Sequence, residues 1–144
     1  MPLWTIYHSP DVFTADERQE LARTVTDYYA DHGLPRFYVV TVFRDISADN
    51  FYVGGEMSER TVRVVIDHIA RRAPNSTGRR RVATRISELL TPLMARHPDV
   101  YWEFHIDETS EELWMINGLV PPPAGSPHEK AWATANTPTP YDND

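Results

Sequence analysis

The 144-residue chain contains no cysteine. That excludes disulfides, thiolate nucleophiles and cysteine-ligated zinc. It also fits a reducing compartment, and the chain is read as cytoplasmic. No apolar run approaches the roughly 18 residues of a membrane-spanning helix. No positively charged start leads into an apolar segment, so no secretory signal is read. Positive charge is scarce: 14 Lys and Arg stand against 21 Asp and Glu, a net charge of −7. Phosphate neutralisation needs a basic surface, so nucleic acid is not expected as a partner. What is present is globular. Hydrophobic residues make up 41% and aromatics 11%, enough for one domain with its own core.

The stretch that organises the chain is Met1-Pro2-Leu3-Trp4-Thr5-Ile6-Tyr7-His8. A small residue at the second position favours removal of the initiator methionine. Pro2 would then be a free secondary amine at the end of a rigid strand, able to act as base, acid or nucleophile. Taken by itself, a proline at position two also serves simply to shield a terminus.

Leu3 to His8 is rich in aromatic and β-branched residues and reads as a strand. Thr14 and Glu17 form a capping box, and Leu21, Ala22, Val25, Tyr28 and Tyr29 recur on one helical face. Gly33 and Pro35 end that helix. Phe37 to Phe43 is almost wholly apolar and reads as a strand buried on both faces. Phe51-Tyr52-Val53 before Gly54-Gly55 reads as a hairpin arm. The plan then repeats. Thr61 to Ile69 is a strand, and Asn75, Ser76 or Thr77 caps a helix with Val82, Ile86, Leu89, Leu90, Leu93 and Met94 on its core face. Pro92 should kink or shorten its last turn. Val100 to Ile106 is a strand, and Thr109 with Glu112 starts a short helix closed by Asn117-Gly118.

The expected fold is α/β (α+β): two tandem β-α-β units over about residues 2–57 and 60–118. Right-handed crossovers then give a four-stranded sheet with both helices on one face. The domain spans 1–120. Residues 121–144 hold six of the 12 prolines and read as an extended tail, ordered only if it packs on something. The aromatic content of the strands implies that the sheet's other face is covered by oligomerisation.

These pieces together resemble the tautomerase superfamily, in the branch of cis-3-chloroacrylic acid dehalogenase and the oxalocrotonate tautomerases related to it. The likeness is carried by Pro2-Leu3-Trp4 with Ile6-Tyr7-His8, Gly33-Leu34-Pro35 with Phe37-Tyr38-Val39-Val40, and Val53-Gly54-Gly55. His68-Ile69-Ala70-Arg71, Trp102-Glu103-Phe104-His105, Asp107-Glu108-Thr109 and Leu113-Trp114 through Ile116-Asn117-Gly118 complete it. The resemblance implies a homotrimer, no cofactor or metal, and Pro2 as the catalytic residue. It implies that Arg71 or Arg72 holds a substrate carboxylate, and both positions stay open. Tyr29, Phe104 and Met115 stand where the dehalogenase has histidine, tyrosine and glutamate, and its second arginine falls near Pro74. Those departures argue against hydrolytic dehalogenation.

The chemistry follows from the amine. An apolar pocket and neighbouring arginines both disfavour the charged form, which would make Pro2 a general base near pH 7. A Pro2 kept cationic would instead act as an acid and favour adding water across a conjugated bond. Leu3, Trp4 and Phe104 supply the apolar wall. Arginine's planar fork suits a carboxylate. Tyr29 can donate to a substrate carbonyl or carboxylate. His105 reads as a hydrogen-bonded structural histidine paired with Glu103 or as a pocket residue. Asn117 reads as a left-handed helix terminus or as pocket lining. Arg79-Arg80-Arg81 reads as a solvated face. The expected activity is a tautomerase acting on a small 2-oxo (enol) or unsaturated carboxylic acid. The alternatives are a cis-3-haloacrylate dehalogenase or hydratase, and a non-catalytic oligomeric binding protein on the same scaffold.

Overall fold

The computed structural model describes residues 1–69 and 71–142. Its main sheet has four strands: β1 (Pro2–His8), β2 (Val40–Asp45), β5 (Thr61–Ile69) and β6 (Tyr101–Thr109), in the order β2-β1-β5-β6. β3 (Tyr52–Val53) and β4 (Glu56–Met57) form a separate hairpin. Gly54 and Gly55 make its turn, both at positive φ (61° and 90°), where a β-carbon would be strained.

β1 and β2 run parallel, as do β5 and β6, while β1 meets β5 antiparallel. The two β-α-β units that the duplicated plan predicts are present, and they join through their first strands. Helix α1 (Ala15–Asp31) crosses between β1 and β2, and α2 (Ser76–Met94) between β5 and β6. The α1 start is the expected capping box: Glu17 N–H donates to Thr14 Oγ1 at 3.1 Å, and Thr14 N–H donates to Glu17 Oε2 at 3.0 Å. Asn75 caps α2 by accepting from Gly78 N–H at 2.9 Å. Pro92 lies inside the last turn of α2, and the helix ends two residues beyond it.

Alternation along β1 is strict, with Pro2, Trp4, Ile6 and His8 buried and the residues between them half-buried. Trp4 and Ile6 pack with Val62, Val64 and Ile66 of β5 in one core with Leu21, Val25 and Tyr29 of α1 and Ile86, Leu90 and Leu93 of α2. The residues of the other face, such as Leu3, Thr5, Tyr7, Arg63 and Val65, are half-buried.

Three local readings change. Phe37 to Phe43 is not a continuous strand buried on both faces. Arg36–Tyr38 is a 3₁₀ turn that sends Tyr38 into the core, and β2 begins at Val40 on the sheet edge with exposed ends. The turn after β6 is a 3₁₀ segment at Glu111–Leu113 led by Ser110, which makes no side-chain cap. The tail is not simply extended, because it contains α3 (Pro127–Ala135). Ser126 Oγ accepts from Glu129 N–H at 3.1 Å, and Pro127 occupies the first turn, where its missing N–H costs nothing. Trp132 is 1% exposed and packs against Phe37, Tyr38 and Tyr141.

Candidate active site

A cavity of about 880 Å³ opens where the start of β1, the end of β5, the end of α1, the first turn of α2 and the outer strand β6 converge. Pro2, Tyr29, Arg71, Arg72, Phe104 and His105 all border it. The fold thus brings together six of the seven expected site residues. Asn117 is the exception. It sits in the exposed turn between Ile116 and Leu119 with φ 51°, in the left-handed conformation that its type tolerates. It does not border this cavity within one subunit.

Pro2 lies on the helix-facing side of β1, directly opposite His68 of β5. Strand pairing continues one residue further out. The Met1 amino group donates to the Ile69 carbonyl at 2.6 Å, and Ile69 N–H donates to the Met1 carbonyl at 2.8 Å. The chain terminus is therefore tied into the sheet edge of the cavity. Burial lowers the terminal amine from 8.0 to about 5, Arg71 adds repulsion, and Glu129 works in the opposite direction.

Tyr29 comes from the last turns of α1, is 7% exposed, and stands edge-on to Trp4 and to His68. Its hydroxyl lies 3.2 Å from Trp4 Nε1 and 2.6 Å from His68 Nε2. An indole nitrogen can only donate, so the hydroxyl accepts from Trp4; we assign its own proton to His68 Nε2, which places the imidazole proton on Nδ1. His68 is lowered from 6.5 to about 4, by burial first and by the nearby terminal amine second, with Glu108 opposing. Burial raises the Tyr29 phenol. Tyr29 and His68 thus border the cavity as a neutral pair, backed by the buried Trp4.

The two candidate arginines differ. Arg71 is about one-third exposed and forms an ion pair from Nη2 to Glu129 Oε1. Arg72 is exposed at the cavity. The loop that carries them is tied to β6, because Ala73 N–H donates to Glu108 Oε1 at 2.9 Å. Arg79 and Arg81 also border the opening, so the run read as a solvated face contributes positive charge at the entrance.

Phe104 and His105 come from opposite faces of β6. Phe104 pairs in register with buried Val64 and packs against the core. His105 and Glu103 do share a face, but they do not form a buried pair, because Arg63 lies between them. Arg63 Nη2 donates to His105 Nδ1 at 2.8 Å, and Arg63 Nη1 lies 2.5 Å from Glu103 Oε1. His105 Nε2 then carries the proton and faces Asp107 at 3.3 Å. Among the described residues, no group of three His, Asp or Glu side chains is arranged to hold a metal ion.

Sequence reasoning did not select His68 or Glu129. His68 becomes visible only through the β1–β5 register, and Glu129 only once α3 packs back on the domain. Two joined β-α-β units, with a proline at the head of the first strand facing an apolar, arginine-rimmed cavity, define the tautomerase superfamily. This chain belongs to the family described as "putative oxalocrotonate tautomerase enzyme", whose sequence model matches residues 1–137.

Among solved structures, native RhCC from Rhodococcus jostii RHA1 is 41% identical, with 96% of this chain and 99% of that chain covered at a TM-score of 0.90. A protein of the thermophilic fungus Aspergillus fumigatus, described as a probable enzyme, is 38% identical, with 98% of each chain covered and a TM-score of 0.91. N1, a member of the cis-3-chloroacrylic acid dehalogenase family, is 16% identical over 90% of this chain and 89% of its own, with a TM-score of 0.65, and shares the fold. No curated protein matches the chain.

Proposed function

We propose that this protein, once Met1 is removed, is a proline-based tautomerase of a small 2-oxo (enol) or unsaturated carboxylic acid. One observation carries the reading: the Met1 amine, one residue from Pro2, is buried at an apolar cavity that Arg71 borders, and burial lowers it to about 5. With Met1 attached, the Pro2 nitrogen is a tertiary amide without basicity. The activity therefore belongs to the processed chain, in which burial and Arg71 act on the proline amine in the same direction.

A neutral Pro2 accepts the hydroxyl proton of an enol as the carbonyl forms. The resulting prolinium returns that proton to the adjacent carbon, so the amine is regenerated and no atom is lost. Arg71 or Arg72 holds the substrate carboxylate. Tyr29 and Phe104 give the organic part of the substrate an apolar wall. The neutral Tyr29–His68 pair adds no cation to compete with the arginines for the carboxylate.

The dehalogenase or hydratase alternative calls for Pro2 as a cationic acid near pH 7, and burial beside Arg71 works against that state. Met115, at the position of that enzyme's glutamate, is 64% exposed and offers no base. The trimer follows from the same reading: the half-buried open face of the sheet needs a cover, and a fused 4-OT of the same fold is an asymmetric trimer.

Intact mass and phenylenolpyruvate ketonisation test the proposal together. The purified chain should lack one methionine, and Pro2→Ala should lose about 10²–10⁴-fold in rate, the usual contribution of a positioned acid or base. An unchanged rate in Pro2→Ala removes proline catalysis and leaves the binding-protein alternative. Chloride release from a cis-3-haloacrylate would favour the dehalogenase reading instead.

A further inference from the structure

The mechanism above leaves buried ionisable groups unused, Glu129 among them. Glu129 lies on α3, in the segment whose sequence reads as a loose tail, and its side chain is 4% exposed. A carboxylate that deep is costly unless its charge and lone pairs are satisfied. Here both oxygens are engaged. Oε1 pairs with Arg71 Nη2, and Oε2 accepts from Gly125 N–H at 2.6 Å. The helix that carries it is anchored by Trp132, whose indole N–H donates to the Thr139 carbonyl at 2.9 Å. α3 is thus packed on the domain and brings a charge to Arg71, which borders the cavity. Arg72, the next residue after Arg71, is exposed to that cavity and makes no ion pair among the described residues.

We propose that Glu129 is a positioning residue of this site: its buried carboxylate holds the Arg71 guanidinium beside the N-terminal nitrogen and offsets its charge, leaving Arg72 to receive the substrate carboxylate. The second half of this assignment rests on the tautomerase reading, whereas the first half concerns only the N-terminal amine. Charged and titratable groups surround that amine from several elements, with Arg79 and Arg81 of α2 at the cavity opening. His68 comes from β5, with Tyr29 of α1 behind it and Glu108 of β6 beside it. Arg71 follows β5, Glu129 comes from α3, and Tyr38 lies behind the ion pair. Arg71 and Glu129 are the two of these that act on the amine with opposite signs.

The test reads the amine itself. Arylation by 4-chloro-7-nitrobenzofurazan is followed against pH by mass, with the N-terminal peptide separated from the peptide of Lys130, the sole lysine. Glu129→Gln keeps an acceptor for Gly125 but removes the charge. It should lower the midpoint of amine arylation by about one unit, the size of a nearby charge effect. Glu129→Asp keeps the charge and should restore most of that shift. An unchanged midpoint in Glu129→Gln overturns the proposal. So does an equal shift in both variants, which would report packing and not charge. Loss of the folded state in both, seen by circular dichroism, also overturns it by making Glu129 a determinant of folding alone.

For the second half, Arg72→Ala should raise KM for phenylenolpyruvate about tenfold or more, the worth of a charge-assisted pair, with kcat little changed. An unchanged KM overturns that division of labour. A chain with no turnover at all refutes the tautomerase reading while the amine shift still decides the role of Glu129.

Discussion

Replacing Tyr29 by phenylalanine removes one oxygen and leaves the ring in place. That oxygen accepts from Trp4 Nε1 at 3.2 Å and donates to His68 Nε2 at 2.6 Å. Trp4 is fully buried, so its N–H loses its acceptor where water has little access. A buried donor left without a partner costs about 1–3 kcal/mol, and losing the bond to His68 adds about 1 kcal/mol. The expected destabilisation is therefore about 3 kcal/mol. The entropy of unfolding per residue, scaled to a chain of this size, converts that loss to a fall in melting temperature of about 10 °C. Differential scanning calorimetry measures it.

A second readout comes from the same oxygen. The tyrosine proton stabilises the neutral imidazole, so Tyr29→Phe should raise His68 from its value of about 4, as followed by NMR titration of the ring. A fall in melting temperature of less than about 3 °C would refute the orphaned-donor argument. A His68 titration that stays in place or moves down would refute the assigned direction of the hydrogen bond.

Stability should rise with pH across the range in which the two buried bases are lowered. For the chain bearing Met1, the amine falls from 8.0 to about 5 and His68 from 6.5 to about 4, so the unfolded chain binds more protons between about pH 4 and pH 8. Urea midpoints should climb through that window, on the order of several kcal/mol in all, and level off above it. His68→Asn should flatten the lower part of the climb, and a flat or falling profile in the parent would contradict the burial argument. Trp132→Ala should cost about 3–5 kcal/mol, the usual loss for a buried tryptophan. Unfolding should stay a single cooperative transition if α3 belongs to the same folding unit, whereas a loss under about 1 kcal/mol would restore the reading of 121–144 as a separate tail.

Much of this protein is legible along the chain because the signals are local. Thr14 and Glu17 satisfy the first amides of α1 from within one turn, and Asn75 does so for α2. The apolar spacing of Leu21, Val25 and Tyr29 marks the buried face of α1 without reference to any other element. The strand–helix–strand order, seen twice, limits the sheet to few topologies. Pro2 is conspicuous as a residue type, and it leads into a strand that the pattern marks plainly.

Other features depend on contacts between distant residues. Phe37 to Phe43 is apolar throughout, yet whether such a run lies between two faces or splits into a turn and an edge strand depends on what surrounds it. Here Trp114 and Trp132 draw Tyr38 inward. Glu103 and His105 alternate correctly, but neither position shows that Arg63 of the neighbouring strand lies between them. The composition of the tail reports its prolines and not the burial of Trp132. The sequence alone thus determined the duplicated β-α-β plan, the caps, the core faces of the helices and a proline at the head of the first strand, because those follow from periodicity and neighbouring residues. Only the tertiary structure decided that His68 stands opposite Pro2, that Tyr29 joins Trp4 to His68, and that Glu129 meets Arg71 across 58 residues of chain. Those pairings arise from strand register and helix docking, which bring together side chains that no local pattern connects.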